Sequence, residues 1–163
     1  MLKSSVFEIS VTGDYYSLIL SEEIVEPFIK MKTRRVKAVA KFEGKELVFH
    51  AAIQKIHGQY CMMFGKRYQK ELGLFPNDIF EMQFFEDTSK YGVEVPEEFE
   101  AVMISDYEAF KIFESFTDGK KRGLIYGIAR YKNSQTKIDK TLLLCENLKR
   151  GIKDPKELFK AQF

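Results

Sequence analysis

Alternation of apolar and polar side chains is the strongest pattern in the first half of the chain. In the stretch RRVKAVAKF every second residue from position 36 to position 42 is apolar, and most residues between them are basic. The stretch ELVFHAAIQKI repeats this period of two from position 47 to position 53. Because successive side chains of a strand point to opposite faces, the two stretches predict a hairpin that turns at residues 43–45 and buries one face.

Further strands are predicted on both sides of this hairpin. The apolar residues of VFEISV indicate an opening strand that turns at Gly13-Asp14, and QYCMMFG indicates a strand after the hairpin. Residues 66–72 predict a short helical segment that Gly73 ends in the left-handed region, and IFEMQFF then points Phe80, Met82 and Phe84 inward. We expect residues 1–92 to form a small antiparallel β-barrel of six or seven strands, because closure removes the edges of such a meander.

The pattern changes to a helical one near residues 91–95. Pro96 is predicted to be the first helical residue, with acidic residues in the first turn, and Ser105-x-x-Glu108 is a capping-box pattern for the next helix. The clearest helix has an apolar stripe at three- and four-residue spacing, formed by Ile138, Leu142, Cys145 and Leu148, and Gly151 ends it. We expect residues 93–163 to form a helical hairpin or a three-helix unit, which makes the fold class α+β.

Charge is distributed unevenly along a chain whose total is nearly balanced. The formal net charge is +2 over 163 residues, but residues 111–163 carry 13 basic and six acidic side chains. A second basic run, from position 30 to position 45, contains seven basic residues and one acidic residue, Glu43. Charge runs of this kind are typical of solvated faces, and the alternative is a surface for an anionic partner such as nucleic acid or an acidic peptide.

Cysteine usage and hydropathy indicate a protein of a reducing compartment. Cys61 and Cys145 are 84 positions apart, without the spacing of a metal or redox motif, and both fall at positions that predict buried thiols. The opening residues alternate like a strand and lack the apolar core of a secretion signal, and no apolar run reaches the ~20 residues of a membrane span. The expected location is cytoplasmic.

The sequence carries none of the familiar catalytic patterns. It has no glycine-rich phosphate loop, no nucleophile elbow and no paired-histidine metal motif. We interpret His50 as a surface or hydrogen-bonded residue and His57 as a turn residue, and the two together are too few for a metal site. We therefore expect no catalytic residue, no metal and no cofactor, and a hydrolase with an unrecognised site is the least favoured alternative.

Two groups of cations are the candidate binding residues. Lys120, Lys121 and Arg122 are predicted to start a helix, where cations oppose the helix dipole, so a binding role would explain their position. The other group is the basic side of the barrel hairpin. It comprises Arg34, Arg35 and Lys37, together with Lys66 and Arg67, and it suggests a nucleic-acid-binding regulator as the alternative function.

The second half of the chain resembles the YdeI/OmpD-associated family, also labelled bacteriocin-protection proteins. The resemblance rests on VEVPEEFEAVM, on the phenylalanine-rich helix, on the basic segment and on the helix that ends in glycine. The matching positions are Val93, Val95, Pro96, Phe99, Ala109, Phe113, Lys121, Arg122, Ala129, Thr136, Lys137 and Gly151. The family often has Trp-Ile where Gly127-Ile128 stands, and Glu-Thr-Arg where residues 135–137 are Gln-Thr-Lys. The first half is similar to a small β-barrel domain of unknown function that often precedes this family's domain, and it resembles double-split barrels.

The resemblance implies a bacterial, non-enzymatic binding protein linked to resistance against bacteriocins or antimicrobial peptides. Its ligand-binding residues would be the basic segment Lys120, Lys121 and Arg122, together with Arg130. The partner would be an anionic ligand, a peptide or a protein, and the oligomeric state stays open.

Overall fold

The computed structural model describes residues 2–11, 16–31 and 34–162, and the predicted turn at Gly13-Asp14 lies outside them. The chain divides into two compact units, Met1–Gly92 and Val93–Phe163, called here the sheet unit and the helical unit. The strands are β1 (Phe7–Ser10), β2 (Ser17–Leu20), β3 (Arg35–Phe42), β4 (Lys45–Ala52), β5 (Gln54–Ile56), β6 (Gln59–Met63) and β7 (Ile79–Glu86). The helices are α1 (Glu22–Lys30), α2 (Lys66–Leu72), α3 (Glu97–Ser105), α4 (Tyr107–Glu114), α5 (Asp118–Ala129), α6 (Ser134–Lys149) and α7 (Pro155–Leu158).

The predicted central hairpin is confirmed, and its register follows from a two-residue turn. β3 and β4 pair antiparallel with Phe42 opposite Lys45, so that only Glu43 and Gly44 connect them. Both turn residues have positive φ, 47° and 79°, which matches the twist of the flanking strands. Val36, Ala38, Ala40 and Phe42 therefore point to one face of β3, as the period of two predicts, and Val39 lies on the other face with the basic residues.

The strands of the sheet unit form two antiparallel sheets around one core. One sheet has the order β1-β7-β3-β4 and the other the order β2-β6-β5. The chain passes from β4 in the first sheet to β5 in the second at Ile53, which is buried. The core joins residues of both sheets, among them Leu18, Met62, Ala38 and Phe84. The antiparallel α+β class is confirmed, whereas closure into a barrel stays a prediction.

Two helices of the helical unit begin at positions that differ slightly from the predicted ones. Pro96 precedes α3 and is not its first residue. The cap of α4 is Asp106, which accepts a hydrogen bond from the Ala109 N–H at 3.1 Å. The predicted cap Ser105 instead donates its hydroxyl to the Val102 carbonyl within α3. The capping-box prediction was therefore wrong by one residue, because a carboxylate competes well with a hydroxyl for free helical N–H groups.

The helical unit has more helices than predicted. Residues 93–162 contain the five helices α3 to α7, where a hairpin or a three-helix unit was expected. α6 is the central one: α3, α4, α5 and α7 all contact it. Of its predicted stripe Cys145 and Leu148 are buried, but Leu142 is about half exposed, and Thr141 and Leu144 are buried instead.

The last residues return to α5 and α6 and pack on them. The fully buried Asn147 side chain donates to the carbonyls of Leu158 and Lys160, at 2.9 and 2.8 Å. The Phe159 ring lies so close to Gly127 that a β-carbon there would come within 2.9 Å of it. A side chain at position 127 would therefore require the Phe159 ring to move.

Candidate functional site

The predicted cations Lys120, Lys121 and Arg122 lie in the first turns of α5, and neighbouring side chains engage Lys120 and Lys121. The Lys120 ammonium lies 3.9 Å from the centroid of the Phe116 ring. Lys121 is only 11% exposed, and its ammonium lies 3.6 Å from the Asp118 carboxylate. α5 begins two residues earlier than these cations, at Asp118, and an acidic residue in that first turn offsets the unfavourable dipole. The prediction that these cations lie at the start of a helix is therefore confirmed.

Arg130, the fourth predicted residue, lies at the opposite end of α5. Ten residues of α-helix span about 15 Å, so Arg130 and Lys120 do not form one group. Arg130 instead donates a hydrogen bond from Nη2 to the Tyr131 hydroxyl at 3.2 Å, and its guanidinium carbon is 5.1 Å from the ring centroid. Lys140 of α6 brings a second cation, with its ammonium 5.9 Å from the same centroid. We call Arg130, Tyr131 and Lys140 the Tyr131 cluster.

The Tyr131 cluster is electropositive and has no internal counter-charge. Within the described ranges, no carboxylate oxygen lies at ion-pair distance from Arg130 or Lys140. The hydrogen bond from Arg130, with the charges of Arg130 and Lys140, lowers the pKa of Tyr131 below its ordinary value. A phenol with a lowered pKa is a stronger hydrogen-bond donor toward an anion. The cluster thus presents two positive charges and one polarised hydroxyl.

The cations of the sheet unit are only partly available. Arg34 and Lys37 are exposed. Arg35 donates from Nε and Nη2 to the carbonyl oxygen of Gly92, at 3.1 and 2.8 Å. Lys66 lies over the ring of Tyr16, 5.4 Å from its centroid, and Arg67 is bonded to Glu71. The predicted nucleic-acid surface therefore has three of its five residues engaged within the protein.

A buried carboxylate beside His50 is the polar group that the sequence reasoning missed. Asp87, with a side chain 4% exposed, accepts from the Nδ1 of His50 at 3.1 Å and from the Ser89 N–H at 2.9 Å. Burial raises the pKa of Asp87, but the Ser89 hydrogen bonds and the neighbouring His50 outweigh it, so the pKa is lowered overall. The interpretation of His50 as hydrogen-bonded is confirmed. The Asp-x-Ser pattern after a strand was the available signal.

These three side chains have the composition of a hydrolase triad without its connectivity. The Ser89 hydroxyl donates to Asp87 and not to the imidazole of His50. In a catalytic triad the histidine contacts the serine hydroxyl and removes its proton. Here the carboxylate lies between the other two, so His50 is not placed to activate Ser89.

A cavity of about 540 Å³ opens at the turn end of the β3–β4 hairpin. Its charged lining consists of four glutamates and two lysines, and Phe42, Ile79 and Phe80 provide apolar walls. Lys41 and Glu46 on its wall are 3.6 Å apart. The acidic excess makes this cavity unfavourable for an anionic ligand.

The two thiols differ in environment. Cys145 is buried 3.9 Å from the Met103 sulfur, and burial raises its pKa to about 11, so it is a protonated core residue as expected. Cys61 is only partly buried, because it lies on the outward side of β6 opposite Ile19. The prediction of a core thiol at Cys61 was therefore wrong.

The described residues contain no group of three or more histidine, cysteine or acidic side chains arranged to hold a metal ion. None of their helices combines the length and the apolar character needed to cross a membrane.

Comparison with known proteins supports the family resemblance for the helical unit. Residues 92–151, a little over a third of the chain, match the family described as "Bacteriocin-protection, YdeI or OmpD-Associated". The predicted resemblance is thereby confirmed for these residues, which include α3 to α6 and the Tyr131 cluster. No curated protein matches the chain. One solved structure that matches is titled "The solution structure of PHS018 from pyrococcus horikoshii"; it is 19% identical over 53% of this chain and 94% of its own, with a TM-score of 0.41.

Proposed function

We propose that this chain is a non-enzymatic binding protein of the YdeI/OmpD-associated type, and that the Tyr131 cluster holds the anionic group of its ligand. The observation that carries the proposal is the convergence of Arg130 and Lys140 on Tyr131 without a described carboxylate to neutralise them. The cluster also lies within the residues that match the family. Like charges held close together repel, so an anion from outside the chain would stabilise the arrangement.

The three side chains offer complementary contacts to an oxyanion. A guanidinium donates in a planar fork that fits carboxylate or phosphate, and an ammonium adds a point charge. The Tyr131 hydroxyl accepts from Arg130, which leaves its own proton for the ligand. A carboxylate of an acidic peptide and a phosphate group share this chemistry, and the experiment below separates them.

The finer parts of the proposal have separate support. A binding role without catalysis is supported by the protonated Cys145 and by the Asp87-centred connectivity at His50. The link to bacteriocin or antimicrobial-peptide resistance follows the family description. A barrel-like closure of the sheet unit is supported by two sheets that share one core and are joined at Ile53. A cytoplasmic location agrees with two cysteines that are not paired with each other.

Binding of a labelled hexaglutamate peptide and of inorganic phosphate, measured by calorimetry or anisotropy, tests the site. We expect Arg130→Gln and Lys140→Gln each to weaken binding about tenfold, as loss of one charge-assisted hydrogen bond would. Tyr131→Phe keeps the ring and removes only the donated proton, so a smaller loss is expected. Peptide binding without phosphate binding identifies a carboxylate ligand, and the reverse identifies a phosphate.

Lys120→Gln is the matched control, because it removes one charge from the other end of the same helix. Unchanged binding in this variant supports the Tyr131 cluster, whereas a loss equal to that of Arg130→Gln overturns it. Duplex DNA is the second arm. Binding with a steep salt dependence that is lost in the double variant Arg34→Gln/Lys37→Gln would replace the proposal with a nucleic-acid-binding regulator.

A further inference from the structure

Two strongly exposed apolar side chains lie where the cavity at the β3–β4 turn opens, called here the turn-end cavity. Ile79 lines this cavity and is 62% exposed, and Phe75 is 77% exposed. The segment from Phe75 to Asp78 is a turn that leads into β7. The Asp78 carboxylate accepts from the Phe75 N–H at 2.7 Å, and the Phe75 carbonyl accepts from the Asp78 N–H at 3.1 Å. Because such a turn brings its first and fourth Cα atoms within about 7 Å, Phe75 lies near the start of β7.

Three carboxylates of the turn-end cavity have no cation of the chain beside them. Glu8 of β1 is directly opposite Glu81 of β7 in the register of the first sheet, and like charges in this position destabilise a sheet. Glu43, in the hairpin turn, is the third carboxylate. In the part of the chain that the structure describes, no cationic nitrogen lies at ion-pair distance from any of the three.

The two lysines that line the cavity are engaged elsewhere. The Lys41 ammonium lies 3.6 Å from the carboxylate of Glu46, the fourth glutamate of the lining. The Lys45 ammonium lies over Gly73, since a β-carbon there would be 3.0 Å from it. Gly73 ends α2, and a cation at that position faces the negative end of the helix dipole. The cavity therefore keeps an uncompensated negative charge.

The charged and apolar parts of this surface have a defined spacing. Ile79 and Glu81 lie on the same outward face of β7, because alternate side chains of a strand share a face and Phe80 between them is buried. Two residues of a strand span about 7 Å. An exposed apolar side chain thus lies about 7 Å along β7 from the pair of opposed carboxylates.

We propose that the turn-end cavity docks an extended peptide segment of a partner protein that carries both basic and apolar residues. A cation of the segment would lie at the Glu8–Glu81 pair, and an apolar side chain would pack against Ile79 and Phe75. Acidic walls alone attract any cation, whereas exposed apolar side chains beside them favour an occupant with both kinds of group. Alternate side chains of an extended peptide are also about 7 Å apart, so the pattern Lys-x-Leu matches the spacing.

This site is independent of the Tyr131 cluster, because it belongs to the sheet unit and takes a ligand of the opposite charge. The probe is a labelled peptide that repeats Lys-Ser-Leu-Ser twice, and its binding is measured by fluorescence anisotropy at low salt. We expect Glu8→Gln and Glu81→Gln each to weaken binding about threefold, as loss of one exposed ion pair would. No binding of this peptide by wild type would overturn the proposal.

Glu23→Gln is the matched control for charge. It removes one exposed carboxylate from α1, which packs against the opposite face of the same sheet through the Phe28 and Phe84 rings, 6.0 Å apart. We expect its binding to equal that of wild type. A loss as large as that in Glu8→Gln would reduce the effect to the net charge of the protein and overturn the site.

A second peptide, with serine in place of both leucines, tests the apolar contact at constant charge. We expect wild type to bind the leucine peptide about tenfold more tightly than the serine peptide. Ile79→Thr should reduce this preference to about threefold, whereas Ile56→Thr, at an exposed position of the other sheet, should keep it. Equal binding of the two peptides by wild type would overturn the proposed partner and show a plain cation surface.

Thermal unfolding separates loss of binding from loss of fold. Glu8→Gln removes one of two like charges that face each other, so this variant should bind more weakly and yet melt about 1–3 °C higher than wild type. An unfolded variant would not show both changes. A lower melting temperature would mean that the chain itself stabilises the Glu8 carboxylate, which contradicts the uncompensated pair on which the proposal rests.

Discussion

Among the described residues, the side chains that form the core of the sheet unit are all apolar, with the carboxylate of Asp87 buried apart from them, whereas the helical unit buries Thr141 and Asn147 together with its apolar residues. The difference follows from how each unit satisfies its backbone. Strands pair their N–H and C=O groups with one another, so side chains facing the core need no polar atoms. The last residues of the helical unit, called here the tail, are irregular at their end. The Asn147 amide donates the hydrogen bonds that the carbonyls of Leu158 and Lys160 in this tail need.

Separate cores predict separate responses to loss of a large side chain. Phe84 in the sheet unit and Phe113 in the helical unit are both fully buried. We expect Phe84→Ala and Phe113→Ala each to lower the free energy of unfolding by about 3–5 kcal/mol, through lost burial and a residual cavity. Denaturant unfolding with hydrogen exchange resolved by unit is the measurement. Each variant should weaken only its own unit, and equal weakening of both units by either variant would break the comparison.

Loss of the buried Asn147 amide should lower the stability of the helical unit more than loss of the buried Thr141 hydroxyl. Asn147→Ala leaves several tail carbonyls without their donor, and we expect a loss of about 2–3 kcal/mol. Thr141→Val is the control, since the Thr141 hydroxyl only donates back to the Lys137 carbonyl of its own helix. We expect this change to cost less than about 1 kcal/mol. Thermal unfolding of both variants decides the point, and similar losses would show that Asn147 has no special role.

Replacing glycine by alanine should change the free energy of unfolding in opposite directions at Gly123 and Gly127, because only Gly127 contacts the Phe159 ring. A β-carbon at Gly127 meets the Phe159 ring at 2.9 Å, whereas one at Gly123 has open space around it. Alanine is a better helix former than glycine, so Gly123→Ala should stabilise by about 0.5–1 kcal/mol. At Gly127 the displaced ring should outweigh that gain and give a net loss of about 1 kcal/mol. Stabilisation by both changes would mean that the tail moves aside freely.

Local patterns allowed much of the fold to be predicted. The prediction of buried residues failed where two faces of the same strand or helix were equally apolar. The β3–β4 hairpin was predictable because only one of its faces is consistently apolar. In β6 both faces carry apolar residues, and Cys61 was assigned to the wrong one. In α6 the three successive leucines allow two helical stripes, and the stripe that is buried also contains Thr141. Periodicity alone does not choose between such alternatives.

Partners distant in the chain could not be predicted from the sequence. Arg35 and Gly92 are 57 positions apart, and His50 and Asp87 are 37 apart. Arg35 was therefore counted among the surface cations, although its guanidinium donates to the Gly92 carbonyl. Lys120 and Arg130 were grouped by charge, but helix geometry separates them. The Tyr131 cluster requires α5 and α6 to come together, which the sequence does not show.

The smallest predicted effect concerns the ion pair that ties the cap of α4 to the end of α6. The Lys149 ammonium lies 2.8 Å from the Asp106 carboxylate. The hydrogen bond from Lys149, followed by that from the Ala109 N–H, lowers the pKa of Asp106, and the same pair raises the pKa of Lys149. A carboxyl with a lowered pKa contributes stability that is present above its ordinary value, near 3.9, and lost as pH falls through the folded value. The helical unit should therefore lose this contribution only below about pH 4.

Asp106→Asn isolates that titration, because asparagine caps a helix nearly as well as aspartate but carries no charge. We expect the melting temperature of the variant to fall less than that of wild type between pH 7 and pH 3, with little difference at neutral pH. Lys149→Gln should move the acid-induced loss to higher pH, because the main cause of the lowered pKa is then absent. The sheet unit has its own lowered carboxyl in Asp87, so the readout must be specific to the helical unit, such as hydrogen exchange in α4. If the acid response of α4 were the same in both variants and in wild type, the pair would be a surface contact without energetic consequence, as many exposed ion pairs are.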